Sequence, residues 1–204
     1  VYERLGMQWI PPELREDRGE LDAARQDQLP KLIELGDIRG DLHMHTTASD
    51  GHASIEEMAE TARERGYDYI AITEHSASAG FGNDVQPDEL LRQAEHIRGL
   101  EIEGIEVLVG TETNVLPDGS LDYEDSLLEQ LDWVIASLHT SFRLGEKEQT
   151  ERMLRAMEHP LVDAIGHPTG RLIQSREPYP VDIDKLIAKA VETGTFLEIN
   201  ANPD

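Results

Sequence analysis

Over 204 residues the chain carries 42 acidic and 18 basic side chains, a formal net charge of −24, and no cysteine. The lack of cysteine excludes disulfides, thiolate metal sites, iron–sulfur clusters and cysteine nucleophiles. The acidity excludes a broad basic groove for nucleic acid, because such a surface repels phosphates beyond local contacts. A chain of this length buries one good core and can carry one appended segment. No apolar run approaches the roughly 18 residues of a membrane span and no signal peptide leads the chain, so a soluble, cytoplasmic protein with no membrane partner is expected.

Residues 1–39 read as a distinct lead-in. "WIPPELRED" contains paired prolines, and the stretch that follows to Leu35 is weakly helical, with Gly36 as its expected stop. From Gly40 onward, short apolar runs alternate with amphipathic patterns. The runs are "DLHMH" (41–45), "YIAIT" (69–73), "EVLVG" (106–110), "WVIASLH" (133–139), "VDAIGH" (162–167) and "FLEIN" (196–200). Between the first two, Ser54 and Glu57 form a capping box, Met58, Ala59 and Ala62 line one helix face, and Gly66 closes the helix. Further helices are expected over 88–101, 124–130, 146–158 and 183–193. Six strands alternating with helices predict an α/β fold with a parallel sheet, either doubly wound or curled into a barrel.

The polar residues fall in a pattern on this scaffold. In a strand, Asp41, His43 and His45 share one face and Leu42 and Met44 the other. A buried hydrophobic strand gains nothing from three polar groups on one face, whereas a metal needs such a set, and an i, i+2 histidine pair brings two imidazoles to one point. Glu74 and His75 come just past the second run and Glu112 just past the third, while His139 and His167 end the fourth and fifth. Five of the eight histidines thus mark the carboxyl ends of successive strands. In a parallel barrel those ends converge on one face, where active sites are built. His52, His96 and His159 fall outside the pattern, as structural histidines would.

These motifs resemble those of the PHP (polymerase and histidinol phosphatase) family, over residues 40–204 and in the family's order: "HMHTTASDG", "TEHS", "GTE", "SLHTSF" and "GHPTGR". "LPDGSLDY" and "EINANPD" look more specifically like the C-terminal PHP domain of bacterial family-X DNA polymerases, and "LGMQWIPPELRED" looks like the end of the polymerase thumb that precedes it. The resemblance implies a distorted (β/α)7 barrel. It also implies up to three divalent metals: zinc or manganese foremost, with iron or magnesium as further options. Carried over by motif, His43 and His45 hold one metal and Glu112 bridges to a second, which His139 and His167 complete. Asp50 and His75 bind a third. Glu112, His43 and His45 then stand at the reaction centre.

The implied chemistry is phosphoester hydrolysis without a protein nucleophile, since one cation acidifies a water while others neutralise charge on the phosphoryl and leaving oxygens. In the polymerase context this is 3′–5′ exonuclease or related 3′-end processing in DNA repair, with a DNA 3′ end as partner and polymerase domains on the N-terminal side. Alternatives are a small-molecule phosphatase of the histidinol-phosphatase type and a non-catalytic module that braces the polymerase. Arg171, just after the histidine motif, is the candidate phosphate contact; the competing reading is a surface arginine paired with an acidic neighbour. Glu74 replaces the aspartate common in this motif, and reads either as a partner of a ligand histidine or as a solvated loop carboxylate. The family pattern ends in an Asp-x-His on a seventh strand. With Asp204 expected in the turn after the sixth, this sequence lacks that strand, one aspartate for the first metal and one histidine for the third.

Overall fold

The computed structural model describes residues 1–80, 83–172 and 175–200. Two compact units divide the chain, residues 1–38 and 39–204. In the first, single 3₁₀ turns at Tyr2–Leu5, Pro12–Leu14 and Leu35–Asp37 flank one short helix, α1 (Glu20–Arg25). Gly36 therefore lies inside a turn rather than ending a longer helix. The two prolines remove backbone donors, and the Arg15 guanidinium instead organises this stretch by donating to the Ile10 carbonyl at 2.9 and 3.1 Å.

The second unit is built on six parallel strands: β1 (Gly40–Met44), β2 (Tyr69–Ile72), β3 (Glu106–Asn114), β4 (Trp133–Ser137), β5 (Ala164–Ile165) and β6 (Phe196–Leu197), paired in chain order. Between them run α2 (Ile55–Glu64), α3 (Pro87–Arg98), α4 (Asp125–Leu128), α5 (Glu146–Met157) and α6 (Ile183–Thr193). All five expected helices are present. Their ends follow the sequence: Ser54 and Glu57 exchange capping hydrogen bonds at α2 (3.2 and 2.8 Å), and Asp182 accepts from the Lys185 N–H at α6 (3.1 Å).

The sheet curls because β3 is shared between two partners in different registers. Its first half, Glu106–Val109, pairs with β2; its second half, Gly110–Asn114, pairs with β4. The result is an open, distorted α/β barrel of six strands, with no pairing between β1 and β6 among the described residues. Apolar side chains pack outside it in two groups. Ile55, Ala59, Ala62, Ala94 and Ile97 cover Ile70, Ile72 and Val109. Met153, Ala156, Met157 and Leu186 cover Val134, Ala136 and Ile165. Placing helices on the outer face leaves the carboxyl ends of the strands free to carry polar groups, as parallel barrels require.

Candidate metal centre

Glu112 lies inside β3, opposite Ile135 of β4, and not beyond the strand as the apolar run suggested. The run "EVLVG" ends at Gly110, but the polar residues Thr111–Asn114 continue the ladder and are all buried. The Glu112 carboxylate is 1% exposed and is surrounded by five imidazoles. Its Oε1 lies 3.2 Å from His43 Nε2, 3.1 Å from His139 Nε2 and 2.8 Å from His167 Nε2. Its Oε2 lies 2.8 Å from His75 Nδ1 and 3.6 Å from His45 Nε2. The rings form a circuit, with centroids 5.3 Å apart for His43 and His45, 4.3 Å for His45 and His75, 4.9 Å for His75 and His139, 5.4 Å for His139 and His167, and 5.9 Å for His167 and His43. Asp50 stands at the rim, 3.5 Å from His45 Nδ1 and 3.4 Å from His75 Nε2.

Two glycines permit this convergence. A Cβ on Gly51 would meet the His45 carbonyl oxygen at 2.2 Å, so only glycine lets the 46–51 turn fold back beneath Asp50. A Cβ on Gly166 would lie 2.3 Å from Ser137 Oγ and 3.3 Å from the His43 ring. His52, His96 and His159 stay outside the cluster; His96 pairs with Glu56 and His159 with Asp125.

The electrostatics centre on the buried carboxylate. Burial would raise the Glu112 pKa, but the contacts of His139, His167, His43 and His75 hold it well below the usual carboxylate range. Burial would likewise lower His43, yet Glu112 and Glu198 reverse this and hold it at about 10. In His75 burial is again outweighed by Glu112, and the pKa is raised. In His45 burial dominates and lowers it. The donor set fits divalent cations. Imidazole and carboxylate atoms lie within 4.8 Å of one another in three groups among the described residues: His43, His45 and Glu112; His45, Asp50 and His75; His75, Glu112 and His139. Beyond the imidazoles of His75 and His45, buried Glu112 Oε2 has no hydrogen-bond partner among the described residues, and a buried carboxylate is characteristically paired or bound to a metal. Nitrogen and oxygen donors without thiolate suit zinc and manganese alike.

The structure also revises the reading of residues around the cluster. Glu74 is neither solvated nor a direct partner of a ligand histidine. It is fully buried and accepts from the Thr46 N–H (3.1 Å), the Thr46 and Ser49 hydroxyls and the Gln93 amide (3.1 Å). It reaches His45 only through Ser49, whose hydroxyl is 3.4 Å from Nδ1. Glu198, to which no role was given from sequence, follows β6 and lies 2.8 Å from His43 Nδ1. Its signal was available, since it is an acidic residue at a strand's carboxyl end, the same placement that drew attention to Glu112. The cluster lines a cavity of about 810 Å³ whose only Lys or Arg among the described residues is Arg176. Arg171 is exposed and lines a smaller adjoining cavity together with His167, Thr169 and Arg176.

An open parallel α/β barrel with a carboxylate-centred histidine cluster at the strands' carboxyl ends defines a metal-centre domain of the barrel class. Residues 41–202 match the family model described as PHP domain, and the chain belongs to the PHP family, whose members are metal-dependent phosphoesterases. It is 48% identical to "DNA polymerase/3′-5′ exonuclease PolX" of Bacillus subtilis over 99% of this chain and 35% of that protein. It is also 37% identical to a "Probable phosphatase" of Caldanaerobacter subterraneus over 78% of this chain and 61% of that one. A "Probable phosphatase" of Thermoanaerobacter sp. is 36% identical, with 78% and 63% covered. The chain thus spans about a third of the polymerase and under two thirds of the phosphatases. No helix among the described residues is long and apolar enough to cross a membrane.

Proposed function

We propose that residues 40–204 act as the 3′-end-processing phosphoesterase module of a family-X DNA polymerase, with residues 1–39 continuing from a polymerase thumb. The observation that carries this reading is the 48% identity to PolX across 99% of the chain, lead-in included, combined with a full circuit of imidazoles around Glu112. His43, His45 and Glu112 would hold one divalent ion, Glu112, His139 and His167 a second, and Asp50 with His75 a third. Such ions supply Lewis acidity, acidifying water and neutralising charge on phosphoryl oxygens. Glu112 would serve both of the first two ions, because a carboxylate has two donor oxygens where an imidazole offers the site one nitrogen. The buried strand β3 holds it rigid, so little reorganisation accompanies the reaction. Arg171 and Arg176 are the cations available to meet a substrate phosphate.

A second reading, a small-molecule phosphatase, is favoured by the relatives named as phosphatases, which cover 78% of the chain. One experiment separates the two. The chain is incubated with manganese or zinc and offered either a 5′-labelled single-stranded oligonucleotide or a set of small phosphomonoesters. The polymerase-module reading expects stepwise loss of 3′ nucleotides, abolished by chelation and by Glu112→Ala. Phosphomonoester turnover with intact DNA would establish the second reading instead. A Glu112→Ala chain that kept most of its metal content and rate would refute the bridging role.

A further inference from the structure

Glu198 joins two ligand candidates that come from different strands. Its Oε1 lies 2.8 Å from His43 Nδ1, at the end of β1, and its Oε2 accepts from the His167 backbone N–H at 2.5 Å, just after β5. His43 thereby has both ring nitrogens committed. Nδ1 faces Glu198, and Nε2 faces the cavity 3.2 Å from Glu112. A carboxylate at one imidazole nitrogen takes the N–H and turns the lone pair of the other toward the site. His167 is held in a different way. Its φ of +28° is one that residues other than glycine rarely adopt. Beyond Glu198 on its N–H, its carbonyl accepts from Gly170 N (2.8 Å) and Tyr179 OH (3.2 Å).

We propose that Glu198 is a positioning residue that fixes the tautomer of His43 and the backbone of His167, tying the two ends of the histidine circuit into one preorganised metal centre. The inference rests on the metal-centre reading above. It follows from the hydrogen-bond inventory that both groups facing Glu198 are donors when His43 offers Nε2 to an ion, so both oxygens must accept. Glutamine keeps the shape but has one acceptor and one donor. With its oxygen on the His167 N–H, its amide faces His43 Nδ1 and drives the imidazole proton to Nε2, where it blocks an ion. With its oxygen on His43, its amide opposes the His167 N–H. Either arrangement loses one ligand.

The test uses the full 204-residue chain and Zn²⁺ alone. Zinc affinity is measured by competition with a chromophoric chelator for the wild type, Glu198→Gln and Glu198→Asp. The His43 tautomer in the zinc-loaded chains is read from long-range ¹H–¹⁵N correlations. We expect Nδ1–H in the wild type, and affinity weaker by about 10- to 100-fold in Glu198→Gln, as for removal of other histidine-orienting carboxylates. Glu198→Asp, which keeps two acceptors, should recover part of that loss. Nε2–H in the zinc-loaded wild type would overturn the proposal without recourse to a variant, and so would Glu198→Gln affinity within twofold of wild type. A wild-type chain that bound no zinc and cleaved no phosphoester would instead refute the metal-centre reading, an outcome distinct from both.

Discussion

Glu74 accepts a hydrogen bond from the backbone N–H of Thr46 at 3.1 Å, across the gap between the ends of β2 and β1. The same buried carboxylate takes the Thr46 and Ser49 hydroxyls, closing the turn that leads from His45 to Asp50. Alanine at this position would leave several buried donors unsatisfied. Glu74→Ala should therefore cost about 3 kcal/mol, since hydrogen bonds to charged groups contribute roughly 1.5–3 kcal/mol each and are not additive. Glu74→Gln should cost less, because a hydroxyl can rotate to accept from the new amide. Urea unfolding of the metal-free chains measures both. Equal stability of Glu74→Ala and wild type would show that the turn is held by other means.

Asp122 performs the matching task on the far side of Glu112. Its Oδ2 accepts from Ser76 Oγ (2.8 Å), Ser78 N (2.9 Å) and Ser78 Oγ (2.7 Å), and its Oδ1 from Thr113 Oγ1 (2.8 Å) and Asn114 N (3.0 Å). Asn114 in turn accepts from the His139 N–H at 3.3 Å. This one side chain thus anchors the residues next to His75 and, through Asn114, the backbone of His139. Asp122→Ala should destabilise the chain by about 2–4 kcal/mol and weaken metal binding beyond what global unfolding explains. Retention of full metal affinity in a folded Asp122→Ala chain would contradict that anchoring role.

Most of the barrel was legible because its periodicities are local. The Ser54–Glu57 box, the apolar face of α2 and the glycine after α2 each announce an element within a few residues. The strand ends were legible as chemistry because a histidine or carboxylate following an apolar run is out of place in a core. What sequence concealed was long-range. β3 runs on through Thr111–Asn114 because β4 offers ladder partners to those polar residues, which no local pattern encodes. Glu74 reads from sequence either as a partner of a ligand histidine or as a solvated carboxylate, since nothing near it reveals that Thr46, Ser49 and Gln93 enclose it. The pairing of Glu198 with His43 spans 155 positions and depends on the curl of the sheet. Arg176 is placed at the cavity by stacking over Phe142, 4.9 Å from the ring centroid, and by donating to the Gly170 carbonyl at 2.7 Å.

Arg176 lines the cavity that contains the histidine cluster, whereas Arg171 lines only the adjoining one. A guanidinium binds phosphate oxygens in pairs, and lysine cannot reproduce that geometry. Both Arg176→Lys and Arg171→Lys should leave metal content unchanged. KM for a phosphoester substrate should rise about tenfold in Arg176→Lys, corresponding to ~1.4 kcal/mol of lost binding, and by less than threefold in Arg171→Lys. Steady-state kinetics with manganese would decide between them. The reverse order would assign the phosphate contact to Arg171.

The charge of the chain sets how DNA can be held. With a formal net charge of −24, phosphates far from the histidine cluster meet a repulsive surface. Exposed charges act over only about a Debye length, ~8 Å at physiological salt, so attraction is confined to the cavity and its one or two arginines. The chain should therefore grip a few nucleotides at a single-stranded or frayed 3′ end and bind duplex DNA poorly. A protein that neutralises Z phosphates of a duplex shows a log–log salt slope of about −0.9Z, and about −0.7Z on single strands. Contact with one or two phosphates predicts a slope between roughly −0.7 and −1.4 on a single strand. A longer chain that also carries polymerase domains should show a steeper slope, because its extended grip lies there. Fluorescence anisotropy with a labelled oligonucleotide, titrated from low to physiological salt in the presence of metal, measures both slopes. Equal steep slopes for the two chains would mean that residues 1–204 hold their own extended phosphate-binding surface, and the confinement of attraction to the cavity would then be wrong.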